Sequence, residues 1–314
     1  MTKCCAKTAE KDLFHLFQKM YYDLSKLGDR SIMDGHTHLD RLFRRDRSQY
    51  SVNMSHLTME ELILGPDDSR DLRRTFAGCI ANFIQPDDWT SSPFSDVVQR
   101  CASHRWVTPT LGCHPQYADK WTQETPDLLK RAVQDLGNVA AIGECGLDSV
   151  HSTSWNDQER AFKGQISVAR AMGLPLVIHL RKAEVAGREI LRQAALPSDW
   201  PIHRHCFVGS SQEYEEWKSI FPNTYFSFTG WVTYPANVNM AMRRLVEQIP
   251  ADRLIVESDA PYFLPRQART TSHYSRPAHT LYVAQALASM RGVSVNNLLN
   301  TNKTNILKLY KPRQ

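Results

Sequence analysis

Apolar residues along this chain recur with two different periods, and the alternation between them is the first structural signal. Over residues 10–27, Leu13, Phe14, Leu16, Phe17, Met20, Tyr21, Leu24 and Leu27 fall at helical spacing, and Gly28-Asp29 end the run. This amphipathic segment predicts a helix that docks through its apolar face, forming an extension over residues 1–30. From Ser31 onward short apolar runs take over. Those at 31–36, 75–83, 106–112, 139–144, 174–179, 202–206, 224–229 and 253–258 read as strands. Helical spacing occupies 94–104, 123–136, 156–172, 183–195, 211–221 and 236–249 between them, and 278–291 and 295–309 after the last. The crossover 41–73 is arginine-rich, and only 56–64 within it reads as helical.

Strands alternating with helical crossovers predict an α/β chain, and eight of them predict a single (β/α)8 TIM barrel over residues 31–314. No Pro/Gly/Ser-rich linker divides the series, so two domains are not expected. An apolar fraction of 42% with 23% charged residues is that of a globular chain with a substantial core. No apolar run approaches a membrane span, and the N-terminus lacks the apolar stretch of a secretory signal. The expectation is an intracellular protein, in the nucleus or cytoplasm and monomeric, with no membrane partner. The net charge of +5 is compatible with a polyanionic substrate without requiring one. Seven cysteines without a Cys-x-x-Cys pair suit reduced thiols better than disulfides or a structural zinc.

The chemistry lies where apolar runs end. His36 and His38 bracket one residue at the end of the first run, so alternation along a strand puts both on one face. Later runs end in Gly112-Cys113-His114-Pro115, Gly143-Glu144-Cys145-Gly146-Leu147-Asp148, Ile178-His179, His205-Cys206-Phe207 and Glu257-Ser258-Asp259-Ala260-Pro261. Catalytic groups of such barrels sit at the C-terminal ends of strands. Histidine at that end of several runs points to a metal site rather than to isolated core histidines. Asp34 and Glu257 lie two residues before His36 and Asp259, so they share the inward face and are expected to be buried behind the site. Cys113 and Cys145 alternate away from it as small core residues.

In this order, the motifs resemble those of TatD-type metal-dependent deoxyribonucleases over residues 31–310, including Thr301-Asn302-Lys303-Thr304-Asn305 near the end. The resemblance implies a nuclease that hydrolyses DNA or RNA phosphodiesters with two divalent ions (Mg, Mn or Zn), as a 3′–5′ exonuclease. It implies that His36, His38 and Asp259 hold one ion, that His179 and His205 hold the other, and that Glu144 bridges them. Asp259 would take the proton from the attacking water, and His114 would either donate to a phosphate oxygen or orient a ligand.

Arg41, Arg44, Arg45 and Arg47 follow His38, and Arg266, Arg269 and Arg276 follow Asp259. The first and eighth strands of a closed barrel are neighbours, so both clusters are expected to flank one mouth and meet phosphates. Trp89, Tyr117, Trp155, Trp231, Tyr262 and Phe263 are candidates to stack on bases of single-stranded DNA or RNA, or of an RNA–DNA hybrid. Two departures from the family pattern touch substrate preference. Arg181-Lys182-Ala183 replaces the usual Arg-Asp-Ala, and Ser149-Val150-His151 stands where an aromatic is common. Two rival readings are a barrel amidohydrolase or esterase acting on a small molecule, and an idle nucleic-acid-binding scaffold. The first has no use for arginine-rich loops; the second has no reason to keep a complete ligand set.

Overall fold

Eight parallel strands follow one another around a single sheet in chain order. They are β1 (Ile32–Thr37), β2 (Phe76–Phe83), β3 (Val107–Leu111), β4 (Ile142–Asp148), β5 (Leu176–Arg181), β6 (Ile202–Arg204), β7 (Thr224–Phe228) and β8 (Leu254–Val256). This is a computed structural model, and it describes residues 24–50, 58–65, 69–91 and 94–311. The sheet closes just beyond β8. Thr37 bridges Ala260, the His38 N–H donates to the Ala260 carbonyl at 2.8 Å, and the Asp259 N–H donates to the His36 carbonyl at 2.9 Å. The fold is therefore a (β/α)8 barrel, as the alternation of periods predicts.

Two packing layers make the core. Outside the sheet, helices bury one face each: α6 (Trp155–Met172), for example, buries Phe162, Ile166 and Ala169. Inside it, Met33, Ile80, Ala141, Val177, Tyr225 and Ile255 meet Ile306, Leu309 and Tyr310 from the C-terminal helix α11 (Val295–Tyr310). These side chains plug the bottom of the barrel, so the polar strand residues collect at the top. The two asparagines of the Thr301–Asn305 motif stitch the seam. Asn302 donates to the Met33 carbonyl at 2.7 Å and accepts the Val256 N–H at 2.8 Å, while Asn305 donates to the Ala251 and Leu254 carbonyls.

Two expectations change, and a third lies mostly outside the described residues. The arginines after His38 lie not in a loop but on α1 (Leu39–Tyr50), which buries Leu39, Leu42 and Phe43; so narrow an apolar stripe is hard to see among charges. Further short helices, α2 (Met59–Leu64) and α3 (Arg70–Thr75), complete that crossover. Strand β4 runs from Ile142 to Asp148 rather than ending at Glu144, with Gly143 and Gly146 inside it. At Gly146 (φ 148°) a Cβ would collide with the His179 carbonyl, so only glycine lets β4 and β5 pair this closely beside the site. Of the helix expected over 10–27, residues 10–23 lie outside the described residues, and Leu24–Lys26 form a 3₁₀ turn. Among the described residues no helix is long and apolar enough to cross a membrane.

Candidate metal centre

Glu144, fully buried on β4, is the hub of the site. Its Oε2 lies 3.4 Å from His36 Nε2 and 3.3 Å from His38 Nε2. Its Oε1 lies 2.7 Å from His179 Nδ1 and 2.8 Å from His205 Nε2. Each carboxylate oxygen thus faces its own histidine pair. Asp259 adds Oδ1 at 3.2 Å from His38 Nε2 and 3.7 Å from His36 Nε2. Burial opposes the charge on Glu144, but the facing His205 and His114 and the hydrogen bonds from His179 and His205 outweigh it, holding the carboxyl well below the usual range.

Groups behind the ring aim three of the four imidazoles. His38 Nδ1 meets the Asn82 carbonyl at 3.1 Å, which turns Nε2 inward. His179 is reversed: its Nε2 faces Asp148 Oδ2 at 3.5 Å, so Nδ1 is the atom presented to Glu144. His205 Nδ1 faces Glu257 Oε1 at 3.4 Å. Glu257 is fully buried; burial opposes its charge, yet His203 and His205 facing it at 3.4 Å keep its carboxyl well below the usual range. Asp34, also buried, accepts the Ser258 N–H at 2.8 Å and hydroxyl at 2.6 Å, and fixes the turn carrying Asp259. Asp259 and Cys206 both take left-handed backbone angles (φ 46° and 45°), so the chain bends sharply as it leaves β8 and β6.

The donor set suits a divalent cation. Glu144 Oε2 and Asp259 Oδ1 are buried, and neither accepts a hydrogen bond from a described residue. Both point at imidazole nitrogens 3.2–3.7 Å away, close to the ~3.3 Å separation of neighbouring donors around a tetrahedral ion with bonds near 2.0 Å. Burial, with His205 opposite, lowers the His36 pKa to about 4, so its ring is neutral and ready to ligate. At His38 burial also works against the charged ring, but the Asp259 hydrogen bond and the Glu144, Asp259 and Asp40 charges prevail and raise its pKa to about 9.

His114 stands close by but is turned differently. Its Nδ1 accepts the Gln116 N–H at 3.1 Å, so the proton of the neutral ring sits on Nε2, 3.6 Å from Glu144 Oε1. That nitrogen is a donor rather than a ligand. Burial and the neighbouring His179 keep the ring's pKa well below the usual value.

A family model described as TatD related DNase matches residues 33–311. The chain belongs to this family. It is 31% identical over 285 residues to the human protein named 3′-5′ RNA nuclease TATDN2, an alignment covering 90% of this chain and 35% of that one. The chain therefore spans about a third of that relative's length. To the 3′-5′ ssDNA/RNA exonuclease TatD of Citrobacter koseri it is 34% identical over 209 residues, covering 64% of this chain and 76% of that one. The crystal structure of the TatD homologue YJJV from Escherichia coli superposes with a TM-score of 0.72 at 20% identity, covering 90% of this chain and 99% of that chain. That last likeness shows the fold.

The arginines of this TatD-family chain divide into exposed and buried. Arg44 spans both oxygens of Asp88 at 2.8 Å while staying exposed, and Arg41 hydrogen-bonds the Tyr117 hydroxyl and pairs with Asp40. Arg45 lies over the Tyr262 ring at 5.2 Å, and that ring meets His38 edge-on, which puts cation and aromatic beside the site. Arg269 is exposed and Arg266 half-buried. Arg276 corrects the expectation. Its guanidinium is buried, paired with Asp46 at 2.9 and 3.1 Å, and donates to the Leu62 carbonyl at 2.9 Å. It ties α1 and α2 to the loop after β8 and does not face phosphate. Asp148 and His203 went unassigned in the sequence. His203 precedes His205 by two residues, the same relation that marked Asp34 and Glu257, so that signal was present.

Proposed function

We propose that this chain hydrolyses phosphodiester bonds of single-stranded RNA or DNA from the 3′ end, using two divalent ions. Glu144 carries the reading, because its two oxygens address two separate histidine pairs. On this reading His36, His38 and Asp259 would hold one ion and His179 and His205 the other, with Glu144 shared between them. Ions bound there supply Lewis acidity, making water a better nucleophile at neutral pH and offsetting charge on phosphate oxygens. Mg, Mn and Zn all suit such nitrogen and oxygen donors. Support for the polymer and the polarity comes from the names of the human and Citrobacter relatives.

The chain's own groups then have distinct tasks. Asp259 accepts the proton of the attacking water. His114 offers Nε2–H to a phosphate oxygen in a buried setting, where one such donor is worth most. Arg45, Arg41 and Arg44, with Arg266 and Arg269, track the backbone, while exposed Tyr262, Phe263 and Trp155 offer faces for bases. End-labelled single-stranded DNA, single-stranded RNA and an RNA–DNA hybrid, incubated with Mg, Mn or EDTA, test this directly. A ladder shortening from the 3′ end, lost in EDTA, is expected. Intact polymers with metal-loaded protein would end the nuclease reading.

Two further results are expected. Arg45→Ala and Arg269→Ala weaken binding of oligonucleotides of any sequence, and each lowers the slope of log affinity against log salt by about 0.7, with kcat unchanged. Fluorescence anisotropy over a salt series reads this; equal slopes would remove the arginines from the interface. The second concerns pH. Ligation by His38 needs its neutral ring, which is protonated below about pH 9, so ion uptake releases a proton. Apparent ion affinity should therefore rise up to ~10-fold per pH unit as that value is approached from below, as read by calorimetry in buffers of different ionisation enthalpy. Affinity independent of pH would show that His38 does not ligate.

A further inference from the structure

Beneath the site, on the inner wall of the barrel, lies a polar chain that the reaction as proposed does not use. The Tyr310 hydroxyl, from the last turn of α11, lies 2.5 Å from His203 Nδ1. His203 Nε2 faces Glu257 Oε2 at 3.4 Å, and Glu257 Oε1 faces His205 Nδ1 at 3.4 Å while accepting the Cys206 N–H at 2.7 Å. His203, Glu257 and Tyr310 are all buried, with the His36 ring 6.1 Å from that of His203 and the apolar plug of the barrel around them. Tyr310 also walls a cleft of about 580 Å³ at the bottom of the barrel, so the chain runs from one end of the barrel to the other.

Donor and acceptor chemistry gives this chain one consistent arrangement. An ionised carboxylate only accepts, so both histidine nitrogens facing Glu257 must carry protons. A neutral His203 with its proton on Nε2 has a lone pair on Nδ1, and the Tyr310 O–H, whose pKa burial pushes well above the usual value, fills it. His205 Nε2, 2.8 Å from Glu144 Oε1, also carries a proton in the metal-free chain; once an ion takes that proton's place, the proton kept on Nδ1 by Glu257 leaves Nε2 as the ligating atom. We propose that Tyr310 and His203 are positioning residues which, through Glu257, lock His205 in the ligand-competent tautomer and orientation. This rests on the two-ion reading above. Groups that orient a metal-binding histidine from behind are commonly worth 10–100-fold in metal affinity.

The test uses the full chain with Mn2+ as probe. Tyr310→Phe removes one hydroxyl and no volume; His203→Gln keeps an amide N–H for Glu257; His203→Leu removes both polar contacts. Calorimetric Mn2+ titration should show ~10-fold weaker binding at one of two sites for Tyr310→Phe and for His203→Leu, with His203→Gln within ~3-fold of wild type. Long-range 15N–1H spectra of histidine-labelled, metal-free protein should show the Nε2–H form of His203 in wild type and mixed His203 tautomers in Tyr310→Phe. A structural role alone would lower the melting temperature of the metal-free variants and leave both Mn2+ affinity and tautomer unchanged; that result overturns the proposal. Wild type that takes up no Mn2+ would instead refute the two-ion reading, and the tautomer spectra would still decide the relay.

Discussion

Glu144→Gln should lower turnover on a single-stranded oligonucleotide by at least ~10³-fold, equivalent to about 4 kcal/mol of transition-state stabilisation. The substitution keeps the volume of a side chain that is 1% exposed, so the fold is preserved. What it removes is the single negative charge at which four imidazoles converge, at 2.7, 2.8, 3.3 and 3.4 Å. An amide offers one oxygen instead of two, so one histidine pair would face an N–H group that cannot ligate and repels a cation. Both divalent-ion affinity and kcat are expected to collapse. Single-turnover cleavage alongside calorimetric Mn2+ titration checks this. Cleavage surviving in Glu144→Gln would place the reaction elsewhere in the chain, and full Mn2+ binding with lost cleavage would assign Glu144 to the chemistry rather than to holding ions.

Arg276→Met should destabilise the protein by about 3–5 kcal/mol, the usual cost of leaving one member of a buried ion pair without its partner. The Arg276 and Asp46 side chains are only 6% and 3% exposed. The guanidinium also donates to the carbonyls of Glu61 and Leu62, which would lose a partner that water cannot easily replace. For a domain of this size the melting temperature should fall by roughly 10 °C. Arg269→Met, on an exposed residue three positions before the loop's Ser272, should stay within about 0.5 kcal/mol of wild type. The double variant Asp46→Leu with Arg276→Met should recover much of the loss, since paired apolar groups can replace a buried ion pair. Urea unfolding of the three proteins reads all of this. If Arg276→Met kept its stability but weakened oligonucleotide binding, the arginine would belong to the substrate interface after all.

Much of the architecture was legible in the pattern of apolar positions. Strand and helix periods reflect which face of a local segment is buried, and this barrel buries every strand within its wall, so the runs at 202–206, 224–229 and 253–258 announce themselves. Candidate ligands were legible for the same reason. A histidine or carboxylate ending an apolar run, as at His179, His205 and Asp259, conflicts with its surroundings unless something holds it. Local signals failed where the burial stripe was thin or the backbone unusual. Helix α1 hid among its arginines, and the last four residues of β4, Cys145 to Asp148, fell outside the apolar run although Gly146 lets the backbone of β5 approach there.

What the chain order alone determined, then, is a (β/α)8 barrel with a row of metal-type donors at one end. Only closure of the barrel decided how those donors meet. It turned His179 to present Nδ1 rather than Nε2, drew Arg276 away from the mouth to Asp46, and brought Tyr310 to His203 across 107 positions. Periodicity records the environment of a residue along its own element. Partners across the barrel depend on shear, strand tilt and where the last helix plugs the bottom, and none of these is written in any single stretch of sequence.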